Sequence, residues 1–388
     1  MIKKIDSNMA GSENRSQTVW YDPAREPMRI NGLAFFGENN ENCEKTQQKN
    51  REYENVAEAQ NSCSASFAHD FSRMPESKKE LFEKVNKNLV FLGTHPAGGQ
   101  IRFRTDSKSI SIKARIAYAH DMCNMPASGQ CGFDLYVKYE GESEYEFLGM
   151  TNFDEKATEY ESCLSGRLRA GMKSIIINMP LYVPLLAVAV GLDGGSVVEK
   201  PEDFGGKPFV VYGTSITQGG CVSRPGTCYS SLLSRRFGRE TFNFGFSANG
   251  LGEYEMAELI RDLPDSGLVI LDYEANAGSN GRLEKSLEGF IKIIREKQKC
   301  PILVLSRIPY ILDAIEEEFG SVRRRCREFA RGIVRKFNDG GDKKVYFADG
   351  YELFDGCWKE YTVDLIHPTD AGHIKMADKL EKIIKEII

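Results

Sequence analysis

The second half of the chain alternates short apolar segments with longer amphipathic ones, and this alternation restricts the fold more than any other feature. Strands that alternate with helices are typical of a parallel sheet covered by helices. The predicted strands lie at 208–212, 241–245, 267–272, 301–306 and 344–348, and the predicted helices near 227–238, 253–262, 281–298, 314–337 and 369–387. The sequence therefore predicts an α/β fold for this half.

The first half has a different period. Apolar and polar residues alternate every second position at 100–105, 109–116, 133–139 and 174–178, with turn residues between these segments. This pattern is typical of an antiparallel sandwich. The most apolar run, 183–190, contains a proline and stops at Gly191, so it predicts a buried strand and not a membrane span.

The two patterns meet in a short segment rich in glycine and proline. Residues 194–208 contain Gly-Gly twice and two prolines, which favours a linker. We therefore predict a β-sandwich domain over 15–198 and an α/β domain over 205–388. Residues 39–71 are polar and are expected to form a long surface loop or short exposed helix inserted into the sandwich.

Composition restricts the partners and the compartment. The net charge is −5 without a basic stripe, so we expect neither a nucleic acid nor a membrane partner. The ten cysteines include no Cys-x-x-Cys pair and there are only five histidines, which argues against a structural zinc site. No apolar core follows the first lysines, so we predict a cytoplasmic protein with reduced thiols and without metal or cofactor.

Four polar blocks follow predicted strands in order along the chain. The first, VVYGTSITQG at 210–219, is a buried strand that ends in a glycine and delivers Ser215 to the edge of the sheet. The others are NFGFSAN at 243–249, DYEAN at 272–276 and DLIHP at 364–368. A strand-Gly-x-Ser alone is weak evidence, but four ordered blocks are not easily accidental.

These blocks resemble those of the SGNH (GDSL-type) hydrolases over roughly residues 205–388. Ser215, Asn276 and His367 fall on three of the family's four named positions. The fourth differs, because the second block usually reads Gly-x-Ser-Gly and here has Ala248 in place of the last glycine. Upstream, GFDLY at 132–136 is similar to the GxDLY signature of a β-sandwich domain that precedes certain SGNH domains.

The resemblance implies a serine nucleophile with a histidine base. A serine hydroxyl becomes a good nucleophile when a neighbouring base removes its proton, and a histidine is neutral and competent at physiological pH. We predict Ser215 as the nucleophile, His367 as the base and Asp364 as the residue that orients it. His367-Pro368 could instead simply end a loop before Thr369 caps the last helix, and both roles are compatible.

The tetrahedral intermediate of acyl transfer needs donors around its oxyanion. The predicted donors are the backbone N–H groups of Ser215 and Ala248 and the side-chain amide of Asn276. Asn276 could alternatively be a simple turn residue. Since Ala248 carries a Cβ, we expect it to have a negative φ.

Fold and activity follow from the resemblance as expectations. It implies a three-layer α/β/α, flavodoxin-like domain preceded by an antiparallel, jelly-roll-like β-sandwich. It also implies a serine esterase acting on a small acyl ester, with acetyl on a carbohydrate as the first expectation and a small-molecule or oligosaccharide ester as substrate. A lipid-type or thioester hydrolase and a carbohydrate-binding protein with impaired catalysis are the alternatives.

Overall fold

The computed structural model describes residues 17–41 and 67–388. Residues 42–66, which are most of the predicted polar insertion at 39–71, lie outside the described residues, as do residues 15 and 16 of the predicted sandwich domain. Among the described residues, no helix combines the length and apolar character needed to cross a membrane.

The first half of the described chain is built mainly from strands. Its strands are β1 (Thr18–Tyr21), β2 (Arg29–Asn31), β3 (Gln100–Thr105), β4 (Ile110–Ile116), β5 (Asp134–Tyr139), β6 (Glu146–Met150), β7 (Glu159–Ser165), β8 (Lys173–Asn178), β9 (Leu185–Asp193) and β10 (Val198–Glu199). Its helices are α1 (Phe36–Asn40), α2 (Lys79–Gly93) and α3 (Ala127–Gln130), with a 3₁₀ turn at Glu76–Lys78.

These strands form two antiparallel sheets packed face to face. One has the order β1-β9-β4-β7, and the other has the order β10-β3-β8-β5-β6 with β2 also paired to β3. Fully buried side chains from both sheets, such as Ile112, Val190, Phe103 and Ile177, fill the space between them. The predicted antiparallel sandwich is confirmed. Part of the predicted linker at 194–208 is instead strand β10, which pairs with β3.

The second half alternates strands and helices. Its strands are β11 (Phe209–Gly213), β12 (Thr241–Gly245), β13 (Leu268–Asp272), β14 (Ile302–Leu305) and β15 (Val345–Ala348). Its helices are α4 (Ser215–Gln218), α5 (Tyr229–Phe237), α6 (Tyr254–Asp262), α7 (Glu274–Ala277), α8 (Arg282–Arg295), α9 (Leu312–Ile315), α10 (Glu317–Asp339) and α11 (Asp370–Ile387). Short 3₁₀ turns lie at Pro225–Thr227, Gly350–Leu353 and Trp358–Tyr361.

The five strands of this half form one parallel sheet in the order β12-β11-β13-β14-β15. Counted along the chain this is the order 2-1-3-4-5, the flavodoxin-like arrangement in which ligands bind at the carboxyl ends of the strands where the order reverses. That point lies between β11 and its neighbours β12 and β13. The predicted α/β fold is confirmed, and its topology places residues 214–219 at the usual ligand edge.

Helix α2 joins the two halves into one structure. Its buried side chains Phe82 and Leu89 belong to the same apolar cluster as Tyr212 and Phe244 of the parallel sheet. Just before this helix, the fully buried Arg73 guanidinium donates to the carbonyl oxygens of four residues, two in each half of the chain: Leu92, His95, Asn243 and Gly245. Burial lowers the pKa of Arg73 to about 9. The contact between the halves is therefore apolar in its centre and closed by buried hydrogen bonds.

The GFDLY segment lies on this contact and binds the second half directly. The buried Asp134 carboxylate accepts hydrogen bonds from the Gly226 N–H at 2.8 Å and the Arg224 guanidinium at 3.2 Å. Asn178 of the neighbouring strand donates a third at 2.7 Å. The Tyr136 hydroxyl also bonds Arg224. Arg224 therefore forms a partly buried contact between the halves.

Candidate active site

Ser215 stands at the sharp turn that connects β11 to α4. Thr214, in extended conformation, caps this short helix, because its side chain accepts from the Ile216 N–H while Thr217 Oγ1 accepts from the Thr214 N–H. The helix ends at Gly219, whose φ of +105° only glycine adopts readily. The local sequence therefore fixes the Ser215 side chain at the carboxyl edge of the sheet.

Two further side chains extend from Ser215 in a hydrogen-bonded chain. The Ser215 Oγ lies 2.8 Å from His367 Nε2, and His367 Nδ1 lies 2.9 Å from Asp364 Oδ2. The turn at 364–367 is closed by the His367 backbone N–H, which donates to Asp364 Oδ1 at 2.8 Å. Leu365 within this turn has a positive φ of 73°. The three residues predicted as nucleophile, base and orienting acid are thus brought together in the predicted order.

The electrostatics of this chain favour an ionised Asp364. Partial burial alone would raise the pKa of Asp364, but the backbone N–H and the imidazole of His367, followed by the Asn124 amide, hold it below its ordinary value. A carboxylate that is charged and oriented in this way can stabilise an imidazolium.

The prediction of a negative φ at Ala248 is wrong. Its φ is +58°. The Phe246 carbonyl oxygen accepts hydrogen bonds from the N–H groups of both Asn249 and Gly250, so residues 246–249 form a tight turn. Ala248 is the third residue of that turn, a position that takes positive φ in turn types that prefer glycine. Ala248 therefore adopts the backbone conformation that the family's glycine would favour, at a strain of about 1–2 kcal/mol for a residue with a Cβ.

Asn276 lies in α7, directly after β13. Its side-chain amide donates to the Phe246 carbonyl oxygen at 3.4 Å, a long bond that leaves the group free to turn toward a better acceptor. Ser215, Ala248, Asn276 and His367 all line one cavity of about 280 Å³. Ser215, Ala248 and Asn276, which carry the three predicted oxyanion donors, therefore line the same cavity as His367.

The other residues that line this cavity are partly apolar and partly polar, and no sequence motif indicated them. Its remaining lining includes the apolar residues Ala275, Tyr310, Phe319, Val322 and Ile366. Glu274 also contributes, and burial raises its pKa to about 8, against the opposing effect of Arg307. Arg307 itself is bound bidentately by Asp313 at 2.5 and 2.8 Å. At neutral pH Glu274 is therefore mainly uncharged, and the cavity carries little net charge.

A second buried carboxyl group stabilises the helix that carries Ser215. Asp272, the last residue of β13, accepts hydrogen bonds from Thr217 Oγ1 at 2.8 Å and from the Tyr229 hydroxyl at 2.7 Å. Burial raises the pKa of Asp272 to about 6, although both hydroxyl groups oppose the shift. Because Thr217 belongs to α4, this network ties the helix that carries Ser215 to the sheet.

The first half of the chain also reaches the site. The Tyr182 hydroxyl donates to the Ser215 carbonyl oxygen at 2.9 Å, and the Asn124 amide donates to Asp364 at 2.7 Å. Beside the first cavity lies an open cleft of about 310 Å³ that shares Ser247 with it. The lining of this cleft includes Asn88, Phe91, Tyr118, Asp121, Met122 and Tyr182. None of these residues stands in a motif, and only the three-dimensional contact between the halves reveals them.

One group of potential metal ligands occurs among the described residues. Ligand atoms of Cys221, Asp364 and His367 lie within 4.8 Å of one another. Burial raises the pKa of the Cys221 thiol to about 12, so the thiol is neutral, and His367 Nδ1 is already bonded to Asp364. His373 is not part of this group; it is buried against the Tyr229 ring and has a packing role.

Both halves of the chain match known protein families. Residues 206–385 match the GDSL-like lipase/acylhydrolase family, and residues 46–198 match the GxDLY family, described as the N-terminus of SGNH hydrolase-type esterases. No curated protein sequence matches the chain significantly.

Two solved structures share nearly the whole fold, and a third shares a large part of it. A Bacteroides ovatus protein described as a GDSL-like lipase is 24% identical with a TM-score of 0.78, over 96% of this chain and 98% of that one. The salicylyl-acyltransferase SsfX3 of a tetracycline biosynthetic pathway is 21% identical with a TM-score of 0.69, over 95% and 97%. A family two carbohydrate esterase of Clostridium thermocellum, solved with cellohexaose, is 16% identical with a TM-score of 0.52, over 75% and 92%.

The fold and the family matches together define an SGNH-type serine hydrolase. The match to the GDSL-like lipase/acylhydrolase family covers residues 206–385, and the match to the GxDLY-type N-terminal region of SGNH-type esterases covers residues 46–198. The resemblance noted from the four ordered blocks and the GFDLY segment is therefore confirmed.

Proposed function

We propose that the protein hydrolyses short acyl esters, acetyl esters of carbohydrates in the first place, through an acyl-enzyme on Ser215. The observation that carries this proposal is the hydrogen-bonded chain from Ser215 through His367 to Asp364, which opens into a small cavity. An activated serine beside oxyanion donors is the arrangement that acyl transfer requires.

In the proposed reaction Ser215 Oγ forms a bond to the ester carbonyl carbon while His367 Nε2 takes the hydroxyl proton. The carbonyl π electrons move onto oxygen, where the N–H groups of Ser215 and Ala248 and the Asn276 amide stabilise the charge. The carbon–oxygen bond to the alcohol then breaks, and His367 returns the proton to the leaving oxygen. Water, deprotonated by His367, forms a bond to the acyl carbon of the acyl-enzyme. The bond between that carbon and Ser215 Oγ then breaks, His367 returns the proton to Oγ, and the acid is released.

The size of the cavity supports a short acyl group. Its volume of about 280 Å³ lies just below the usual range for small-molecule pockets. The side chains of Phe319, Val322 and Ile366 close it with apolar surface suited to a methyl or similarly small group. A long lipid chain would need a longer apolar groove.

The adjoining cleft supports a polar alcohol moiety. Phe91, Tyr118 and Tyr182 supply aromatic surface, and Asn88 and Asp121 supply hydrogen-bonding groups, which together suit a sugar ring. The protein shares its fold with the Clostridium thermocellum carbohydrate esterase that was solved with cellohexaose, which is consistent with such a substrate. The acyl group would lie in the cavity and the sugar in the cleft.

We also propose the division into domains at 15–198 and 205–388. The family matches end at 198 and begin at 206, which supports a boundary between them. A cytoplasmic location remains part of the proposal, supported by the free thiols of the eight cysteines that the structure describes.

A substrate series tests the function. p-Nitrophenyl esters of increasing acyl length, measured beside acetylated oligosaccharides, should show the highest kcat/KM for acetate and a steep decline beyond a few carbons. The Ser215→Ala variant is the matched control for each substrate. Preference for long chains would favour the lipid-type hydrolase, and oligosaccharide binding without turnover would favour the binding protein. Either result would refute the proposal.

A further inference from the structure

One hydrogen bond to the proposed triad comes from the sandwich half of the molecule. The Asn124 side-chain amide donates to Asp364 Oδ2 at 2.7 Å, across 240 residues of sequence. The same oxygen lies 2.9 Å from His367 Nδ1, and Asp364 Oδ1 accepts the His367 backbone N–H. Asn124 is therefore the one donor to this carboxylate, within the described residues, that does not belong to the 364–367 turn.

The Asp364 side chain is partly exposed to water, so a further hydrogen-bond partner restricts its rotation. It is 31% exposed, and the turn that holds it contains Leu365 at a positive φ. Without Asn124, the carboxylate would be anchored only by its own turn and could rotate toward water. Asn124 fixes the second oxygen and hence the plane of the carboxylate relative to the imidazole.

The loop that presents Asn124 is itself held firmly. His120 Nε2 bonds the Met125 carbonyl oxygen at 2.7 Å, and Gln130 Nε2 donates to Asp121 at 2.6 Å. Met125 is 2% exposed and packs in a cluster with Tyr182 of its own half and Val222 of the second half.

Two further contacts press the following turn against the second half. The Ser128 hydroxyl donates to the Ser223 carbonyl oxygen at 2.7 Å. A Cβ on Gly129 would come within 2.1 Å of the Val222 carbonyl oxygen, so the two backbones meet where only glycine fits. The loop thus has a defined position over the segment that follows α4.

We propose that Asn124 is a positioning residue for the Asp364 carboxylate, supplied by the sandwich half so that the triad is complete only when both halves are docked. This inference rests on the proposed function of Ser215, His367 and Asp364. Asn124 touches no substrate atom in this scheme and acts through Asp364. It makes the sandwich part of the catalytic apparatus and not only a wall of the substrate cleft.

Charged groups near the pair are bound to other partners. Arg307, which lines the same cavity as His367, is bound by Asp313. Asp370 accepts from the Ser223 N–H and the Thr227 hydroxyl. Glu274 also lines this cavity and is mainly uncharged at neutral pH.

Titratable groups that face Asp364 and His367 from neighbouring segments include Cys221 and His373. Burial keeps both neutral, since it raises the pKa of Cys221 to about 12 and lowers that of His373 to about 4. A change in the charge at position 124 should therefore be transmitted mainly to Asp364 and His367.

The test follows the rate at which a fluorophosphonate probe labels Ser215 in the full chain. In this reaction Ser215 Oγ bonds to phosphorus, fluoride leaves and His367 takes the proton, so the rate reports the triad without needing the natural substrate. Asn124→Ala should lower the labelling rate about tenfold, because a hydrogen bond to a charged group is lost. Asn124→Asp should move the acid limb of the pH–rate profile to higher pH by about one unit, since a second carboxylate favours the imidazolium.

Ser128→Ala is the matched control, because it removes an anchor of the same segment without touching the triad. It should be labelled within about twofold of the wild-type rate with an unchanged pH profile. Thermal unfolding of each variant shows whether it is folded. If the wild type is labelled, and if the Asn124→Ala rate and the Asn124→Asp pH profile both equal those of the wild type, the inference about Asn124 is refuted. The proposed role of Ser215 is not affected by that result. Absence of labelling in the wild type would instead refute the proposed role of Ser215.

Discussion

The two ends of the proposed triad are built in opposite ways. The Ser215 end follows strand β11 of a buried parallel sheet, and Asp272 at the end of the adjacent strand β13 is bound to Thr217 and Tyr229. The Asp364 end lies in a partly exposed turn and is completed by Asn124 from the other half of the chain. The nucleophile is thus held mainly within the second half, with one hydrogen bond from Tyr182 of the first half to the Ser215 carbonyl oxygen, and the acid is held by a contact between the halves.

The two aspartates show the physical consequence of this difference. Burial raises the pKa of Asp272 to about 6, whereas hydrogen bonds to His367 and Asn124 lower the pKa of Asp364 against the effect of its partial burial. A buried carboxyl group is suited to hold structure, because its hydrogen bonds are shielded from water. A more exposed one stays charged and can respond to its neighbours.

Removing the nucleophile should have the largest effect. Ser215→Ala takes away the hydroxyl but leaves the capping pair of Thr214 and Thr217 and the Asp272 network in place. We expect kcat to fall by about a thousandfold or more with an unfolding temperature close to wild type. Steady-state kinetics and thermal unfolding measure the two quantities.

The neighbouring hydroxyl provides the control for that experiment. Ser247 lines both the cavity and the cleft but is not bonded to His367, so Ser247→Ala should keep activity within about tenfold of wild type. A Ser215→Ala variant that retains a comparable rate would contradict the serine mechanism and remove the basis of the comparison between the two ends.

The second prediction concerns pH and stability. Since the folded pKa of Asp272 is about 6, above its ordinary value of 3.8, its contribution to stability is complete below pH 3.8 and is lost as pH rises through 6. Asp272→Asn cannot titrate. The stability of this variant relative to wild type should therefore increase by about 2 kcal/mol between pH 4 and 7. Urea unfolding at several pH values measures this difference.

Asp364→Asn is the comparison variant, because its stability relative to wild type should change with pH in the opposite direction. The pKa of Asp364 is lowered in the folded protein, so its contribution to stability is present above the ordinary carboxyl pKa and is lost as the pH falls. The stability of Asp364→Asn relative to wild type should therefore increase toward acid, opposite to Asp272→Asn. If both variants changed in the same direction, the two carboxyl groups would not differ as described.

The regular elements were predictable because each half keeps a single hydrophobic period. The predicted strand 241–245 coincides with β12, and the predicted strand 100–105 coincides with β3. Apolar runs between turn residues identify buried strands whatever their neighbours are. The exposed strand β6 and helix α2 were not predicted, because α2 covers the parallel sheet of the other half and its apolar face makes sense only in that contact.

The site was predictable to the extent that its residues follow strands in order. The blocks that contain Ser215 and Asn276 lie at one edge of the sheet because parallel strands all end there, whereas His367 reaches that edge in a turn well after β15. Asn124 and Tyr182 come from loops of the sandwich, where no motif precedes them, and their roles depend on how the halves dock. The positive φ of Ala248 was mispredicted because the demand of the turn at 246–249 outweighed the preference of the residue.

The smallest expected effect is that of replacing Ala248, and it tests how well the oxyanion hole at the Ser215 end is formed. Ala248→Gly removes a Cβ from a residue at φ +58° and relieves strain of about 1 kcal/mol, but it also raises the entropy of the unfolded chain by a similar amount. Stability should change by less than about 1 kcal/mol and kcat by less than about threefold, because the backbone N–H already has the orientation that glycine would give it. Ala314→Gly in helix α9 is the control and should lose roughly 0.5–1 kcal/mol, since no strain is relieved there. A tenfold gain in kcat for Ala248→Gly would show that the Cβ distorts the oxyanion hole, and the nucleophile end would then be less complete than its buried supports indicate.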